Sequence, residues 1–278
     1  MLDYIYHSID PVAFSAGPFT VRWYGLAYMV GFLAAAFIIY RTAKRWKLNF
    51  NFDALLTIIL CVIVGVIFGG RLGYVLMYGG GYYFEHPLEI LMFSQGGMSF
   101  HGGLVGAVLA EIVASRILNM PLATIGDLCV IAAPVGLFLG RCANFINGEL
   151  WGAVTDLPWG VVFGGSAGSV ARHPSQLYEA VLEGIVLFVV LYTLSRKVPP
   201  RPRGTFLGIF LVLYGIFRFL IEFVRQPDAH IGYLAGDWLT MGQVLSLPVI
   251  AVGIIILIWV SRVKLPQEGL RTQPDTLQ

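Results

Sequence analysis

Six arginines sit where an apolar chain tolerates charge least: Arg22, Arg71, Arg141, Arg172, Arg218 and Arg225 lie within or beside long hydrophobic runs. An arginine at the centre of a membrane helix costs about 2.5–3.5 kcal/mol on insertion scales, so each needs a reason. Arginine keeps its charge in any surroundings and presents a planar fork of donors that fits phosphate or carboxylate. Tyr214, Arg218, Glu222 and Arg225 stand at i, i+4, i+8 and i+11, which on a helix gives directions of about 0°, 40°, 80° and 20°, one narrow face. Within that stripe one carboxylate faces two guanidiniums, leaving a positive charge that an anionic ligand would satisfy; the alternative is an internal Arg218–Glu222 salt bridge that only braces the bundle. Arg71, Tyr74 and Tyr78 share another face, where the tyrosines could contact a ligand or serve as interfacial anchors.

Two further segments carry chemistry. Ser99-Phe100-His101-Gly102-Gly103-Leu104 places a histidine at the mouth of an apolar run. Histidine is the side chain whose ordinary pKa lets it exchange a proton near neutrality, though an interfacial hydrogen-bonding role would also place it there. Gly140 to Gly152 packs Arg141, Asn144, Asn147 and Glu149 beside the end of another run, a set able to hold a polar headgroup by charge and hydrogen bonds together. Gly164-Gly165-Ser166-Ala167-Gly168, followed by Asp228 and His230, imitates a serine-hydrolase elbow. That motif requires a strand-to-helix turn in an α/β sheet, and here it falls in a small-residue loop.

The elements that must position these groups are helices in lipid. Of the 278 residues, 57% are hydrophobic and 12% charged, against about 25% charged in soluble domains. A soluble globular enzyme is excluded, and a net charge of +2 gives no argument for nucleic acid. Seven runs, near 20–40, 54–78, 99–118, 122–143, 177–195, 205–224 and 239–260, approach the ~20 residues a membrane helix needs. The third and fourth, separated by Asn119-Met120-Pro121, predict a tight hairpin. With the N-terminus outside, 12 of the 18 basic residues, including all four lysines, fall on the inner side, as the positive-inside rule requires. The prediction is an all-α polytopic membrane protein with about seven transmembrane helices, N-terminus outside and C-terminus cytoplasmic. Residues 1–266 form one transmembrane catalytic domain, 144–176 a small periplasmic cap segment containing the β-prone run 159–163, and 267–278 a disordered cytoplasmic tail. Glycines four apart, Gly65/Gly69/Gly73 and Gly136/Gly140, allow close helix packing. Cys61, Cys129 and Cys142 have no metal-ligand or disulfide spacing. No Lys or Arg occurs in the first 21 residues, so no cleavable signal peptide is expected.

The run Gly140-Arg141-Cys142-Ala143-Asn144-Phe145-Ile146-Asn147-Gly148-Glu149-Leu150-Trp151-Gly152 resembles the signature of prolipoprotein diacylglyceryl transferases. The resemblance extends to Arg22-Trp23-Tyr24-Gly25, to His101-Gly102-Gly103-Leu104, to Arg172-His173-Pro174-Ser175-Gln176-Leu177-Tyr178-Glu179 and to Tyr214-Gly215-Ile216-Phe217-Arg218-Phe219 with Glu222 and Arg225, spanning residues 10–262. It implies a multi-pass enzyme of the bacterial inner membrane, its active site towards the periplasm. Such an enzyme moves the diacylglyceryl group of phosphatidylglycerol to the lipobox cysteine thiol of a prolipoprotein signal peptide, giving a thioether and glycerol 1-phosphate. It also implies functional roles for Tyr24, His101, Arg141, Asn144, Glu149, Gly152, Tyr214, Arg218 and Glu222, with Arg141 in the phosphatidylglycerol site.

The residues suit that chemistry. Fixed arginines stabilise charge developing on a phosphate in a medium of low dielectric. The nucleophile belongs to the substrate, and its thiol needs only a base of pKa near 7. The resemblance thus makes His101, Arg141, Arg218, Tyr24 and Glu222 the expected catalytic set. Arg141, Asn144, Glu149, Gly152, Tyr214, Arg218, Arg225, Tyr74 and Tyr78 are expected to bind substrate. Neither metal nor cofactor is expected, and the partners are phosphatidylglycerol, the prolipoprotein and membrane lipids. A lipid or anion transporter would also use intramembrane arginines, but would be expected to show related halves and midplane binding groups. A purely structural subunit would not gather arginines in this way.

Overall fold

The computed structural model describes residues 2–17, 19–92, 96–227, 232–236 and 238–271. A short helix α1 (Leu2–Ser8) leads into an antiparallel hairpin, β1 (Val12–Ala16) and β2 (Phe19–Arg22), and then α2 (Trp23–Arg45). Helix α3 (Phe52–Tyr78) is followed by a short α4 (Tyr82–Glu85) and a 3₁₀ turn, Pro87–Leu91, before α5 (Phe100–Ile117) and α6 (Leu122–Asn147). Helix α7 (Ser175–Ser195) contains a π-helical stretch, Ala180–Val186. Helix α8 (Thr205–Ile221), a small ribbon of β3 (Tyr233–Ala235) and β4 (Leu239–Thr240), and α9 (Met241–Val263) complete the order. Among the described residues six helices are long and apolar enough to cross a bilayer, and α8, at 17 residues, is shorter. Large apolar side chains such as Leu33, Phe37, Leu76 and Ile255 stand exposed on them. Soluble monomers do not leave apolar surface open on this scale. The chain is a multi-pass membrane protein.

Contacts divide it into two compact units, residues 1–42 with 127–266, and residues 43–126 with the segment from Gln267. In the second, α3 and α5 pack through glycine. A Cβ at Gly73 would lie 2.6 Å from Gly102 Cα, and one at Gly69 would lie 2.7 Å from Gly106 Cα. The small-residue spacing in α3 therefore does what the sequence suggests. In the first unit a Cβ at Gly136 or at Gly140 would meet open space, so that second pair is not used for close packing. Residues 267–271, assigned to a disordered tail by sequence, are folded. The Leu270 amide donates to Asn49 O at 2.8 Å, Asn49 Nδ2 donates to Leu270 O at 3.0 Å, and Gln267 is buried. The rest of that tail, 272–278, lies outside the described residues.

In the first unit, α8 packs along α9 with small residues at the seam: a Cβ at Gly215 would press on Ile250 and one at Gly208 on Leu257. The N-terminus of α8 is capped from another helix. Buried Asp127 of α6 accepts from the amides of Gly204 and Leu207, each at 2.8 Å, satisfying donors that a helix start leaves unpaired. Between α6 and α7 the chain forms a cap whose core is Phe145, Val161, Phe163 and Ala167, with Leu2, Tyr6 and Trp151 packed against it. The β-prone run 159–163 does not become a strand. Only Val161 pairs, in an isolated bridge to Arg172. The Val162 amide instead donates to Asp3 of α1, and Tyr6 donates to Phe163 O.

Candidate functional site

Three helices bring the costly charges together. α6 carries Arg141, α7 carries Glu179 and Glu183, and α8 with the turn after it carries Tyr214, Arg218, Glu222 and Arg225. Close approach of α7 to α6 depends on Gly184, where a Cβ would lie 2.6 Å from Phe138 Cβ. The π-helical stretch begins beside Glu179 and includes Glu183; such wide turns recur at functional sites. Helix α8 ends at Ile221, earlier than the sequence suggests, so Glu222 caps it and Arg225 lies beyond. Arg225 is placed by the cap, through its bridge to Gly152 and the Ala153 amide donating to Val224 O at 2.9 Å.

Glu179, fully buried, is the hub. Its Oε1 lies 2.5 Å from Arg218 Nη1 and 2.9 Å from Arg225 Nη1, and its Oε2 lies 2.9 Å from Arg141 Nε. Glu222 Oε1 meets Arg218 Nη2 at 2.5 Å and Arg225 Nε at 3.6 Å, and Glu183 Oε2 meets Arg141 Nη2 at 3.7 Å. The count of one carboxylate against two guanidiniums on α8 is thus corrected. Among the described residues three guanidiniums face three carboxylates, because α7 supplies two that α8 does not contain. The Arg218–Glu222 salt bridge exists, but as one edge of this network. What the cluster retains is donors. A guanidinium has five N–H groups, and Arg141, Arg218 and Arg225 each direct two of their three nitrogens at the carboxylates. Their side chains remain 15%, 19% and 12% exposed. Tyr214 stacks on Phe210 at 5.6 Å, close enough to Glu183 and Arg218 to feel their charges.

The signature segment adjoins this cluster. Helix α6 runs through Asn147, so Asn144 and Asn147, expected in the cap segment, lie on the same helix as Arg141, and Gly148, at φ +67°, ends it. The chain then folds back. Glu149 Oε1 accepts from Asn144 Nδ2 at 2.8 Å and from Asn147 Nδ2 at 3.2 Å, and Gln176 Nε2 donates to Glu149 O at 2.7 Å. Gly152 donates to His173 O at 2.9 Å, and a Cβ there would lie 2.6 Å from His173 Cβ. Its role is therefore close packing of the cap on the turn that carries Arg225. Burial pushes the His173 imidazole below its ordinary value. Arg172 is a brace in the cap, donating to Ala167 O, Gly152 O and Gln226 Oε1. Tyr24, at the start of α2, contacts Tyr28 through its hydroxyl at 3.3 Å and feels the charges of Glu149 and Arg141.

The remaining expected site residues belong to the other unit. His101 is exposed on the first turn of α5, which Ser99 caps by accepting from the Gly102 amide. Arg71 is buried and structural: Nε donates to Ile90 O at 2.8 Å, Nη1 to Gly96 O at 2.6 Å and Nη2 to Glu89 O at 2.6 Å. It ties the segment after α4 to α3. Tyr74 and Tyr78 stack at 5.7 Å, with Arg71 over Tyr74. The G-x-S-x-G sequence forms a 3₁₀ turn, Gly165–Ala167, with no strand-to-helix elbow, while Asp228 and His230 lie outside the described residues. Among the described residues no three His, Cys, Asp or Glu side chains are grouped to hold a metal ion.

Sequence reasoning missed Glu179 and Glu183 as members of the cluster. The signal was present: two carboxylates four apart in an apolar run carry the same insertion cost that singled out the arginines.

Fold and site together define a multi-pass membrane protein with a buried, formally balanced arginine–glutamate network beside a polar cap. Residues 11–259 match the family described as prolipoprotein diacylglyceryl transferase. A phosphatidylglycerol–prolipoprotein diacylglyceryl transferase of Geobacter sulfurreducens is 51% identical, covering 92% of this chain and 97% of the relative. Proteins of the same name from Pseudoalteromonas translucida (48% identical; 90% of this chain, 92% of the relative) and Aliivibrio salmonicida (46% identical; 96% and 93%) are similarly close. The chain belongs to the prolipoprotein diacylglyceryl transferase family.

Proposed function

We propose that this protein transfers the diacylglyceryl group of phosphatidylglycerol to the lipobox cysteine of a prolipoprotein signal peptide, the first step of lipoprotein maturation, at the periplasmic side of a bacterial inner membrane. The observation that carries the reading is the set of guanidiniums of Arg141, Arg218 and Arg225 ordered around Glu179 with donors to spare, in a chain of this family. In the reaction the substrate sulfur forms a bond to the diacylglyceryl carbon. The carbon–oxygen bond to phosphate breaks, and its electron pair stays with the departing glycerol 1-phosphate. The phosphate gains charge as it leaves, and donors fixed beforehand stabilise that charge without reorganising. Arg141 and Arg218 hold the phosphate, while Glu179, Glu222 and Glu183 hold the arginines. Asn144 and Glu149 order the segment against the cap, and Tyr24, Tyr214 and Arg225 complete the headgroup site. His101 takes the thiol proton or positions the thiol, and Tyr74 and Tyr78 line the lipid or peptide path. Residues 1–266 act as one catalytic domain.

The test is one assay. Purified protein is mixed with phosphatidylglycerol labelled in the head glycerol and in an acyl chain, and with a lipobox peptide. Thioether-linked diacylglyceryl peptide and released glycerol phosphate are expected in equal amounts. Lipid movement across vesicles without either product would establish the transporter reading in its place.

A further inference from the structure

Glu222 has a second set of partners, away from the arginines, on the first turn of α9. Its Oε2 accepts from the hydroxyl of Thr240 at 2.6 Å. Thr240 is also the N-cap of α9: its hydroxyl oxygen accepts from the Gln243 amide at 3.2 Å, and Gln243 Oε1 accepts from the Thr240 amide at 2.9 Å. All three residues are buried. The carboxylate lies flush on the helix turn, since a Cβ at Gly242 would fall 2.5 Å from Glu222 Cδ and 2.7 Å from each oxygen. A capping hydroxyl ordinarily uses only its acceptor lone pairs. Here its proton has a definite destination, and the positive end of the α9 dipole lies beside the same carboxylate.

We propose that Thr240 is a positioning residue: with the first turn of α9 it fixes Glu222, whose other oxygen then sets the planes of Arg218 and Arg225. The assignment rests on the proposed transfer reaction, and deepens it by adding a residue that touches neither lipid nor peptide. Glu222 leaves α8 at its last turn and has three torsions to settle. Without a tie on Oε2 the carboxylate can rotate, and the 2.5 Å contact to Arg218 goes with it. Arginine forks that hold a transferring phosphate tolerate little such movement, because a displacement of about 1 Å can cost about a hundredfold in rate.

Capping and positioning are separable by substitution. Thr240→Ser keeps both and should retain turnover within about threefold. Thr240→Val keeps the shape, loses both, and should lower kcat by at least tenfold with a smaller change in KM for phosphatidylglycerol. Gln243→Leu breaks the reciprocal capping bond but leaves the Thr240–Glu222 bond, so it should lower Tm in detergent while keeping kcat. Thr240→Asp can still cap but has no proton for Glu222, so its kcat should fall as for Val. Turnover of Thr240→Val equal to that of Gln243→Leu, both read below their melting temperatures, would reduce Thr240 to a cap and overturn the proposal. Wild-type protein runs in the same plates. No thioether from it would sink the transferase reading alone, and the rise in Tm on adding phosphatidylglycerol would then read the same four-variant comparison.

Discussion

Replacing Glu179 by glutamine tests the network at its centre. The side chain keeps its size and one carbonyl oxygen, but loses the charge that three guanidiniums share at 2.5, 2.9 and 2.9 Å. Breaking a buried ion pair by removing one partner costs about 3–5 kcal/mol, because the other charge is left uncompensated. Glu179 is fully buried and serves Arg141, Arg218 and Arg225 at once, which places the expected loss at the upper end of that range. For a chain of this length each kcal/mol moves Tm by about 2–4 °C, so a fall of about 10–20 °C in detergent is expected, with transfer abolished. The formal balance of three against three becomes three against two. Adding Arg225→Gln restores it, and the double variant should regain at least half of the lost Tm while staying far below wild-type turnover. Thermal unfolding followed by tryptophan fluorescence, with thioether formation measured on the same samples, reads both quantities. A single variant that loses less than 3 °C, or a double variant less stable than the single, would show that Glu179 does not hold the three arginines in balance.

Arg141→Lys and Arg218→Lys keep the charge and lose the fork, so each should lose about 1.5–3 kcal/mol of lipid or transition-state binding, about ten- to a hundredfold in kcat/KM; near-normal kinetics would remove them from the phosphate site. His101→Ala should lower turnover by about 10²–10⁴-fold while leaving the phosphatidylglycerol-induced rise in Tm intact, and normal turnover at pH 7 would leave the histidine an interfacial residue. Single cysteines at Gly80 and Arg201 should differ in labelling by an impermeant reagent in intact cells, the first reactive and the second protected; equal labelling would defeat the orientation drawn from the basic residues.

What the sequence disclosed follows from where its signals are local. Apolar runs and the spread of lysine and arginine are properties of consecutive residues, so helices such as α3, α5 and α9 fall within a few residues of their expected limits. The glycine seam between α3 and α5 was legible for the same reason. The charge count on α8 failed because its partners come from α7, and pairing between helices leaves no trace in the spacing of either one. Arg225 was assigned to a helix face by periodicity, yet the cap backbone pulls it out of the helix at Glu222. Arg71 shows the converse: an intramembrane arginine singled out by its insertion cost makes four hydrogen bonds to carbonyls of its own chain.

Asp127 has a consequence for the lipid around the protein. Helix α8 rises about 1.5 Å per residue, so its 17 residues extend roughly 25 Å, short of the ~30 Å hydrocarbon core. A free helix of that length would slide to the depth that suits it. This one is moored at one end by Asp127 and at the other by the ions around Arg218, and Ile216, Leu220 and Phe223 still turn outward. On the proposed reading the bilayer is expected to thin beside α8, at a cost of a fraction of a kcal/mol per Å. Such thinning would draw headgroups down towards the arginines, and the proposed phospholipid substrate would reach them with less of its phosphate's hydration to shed.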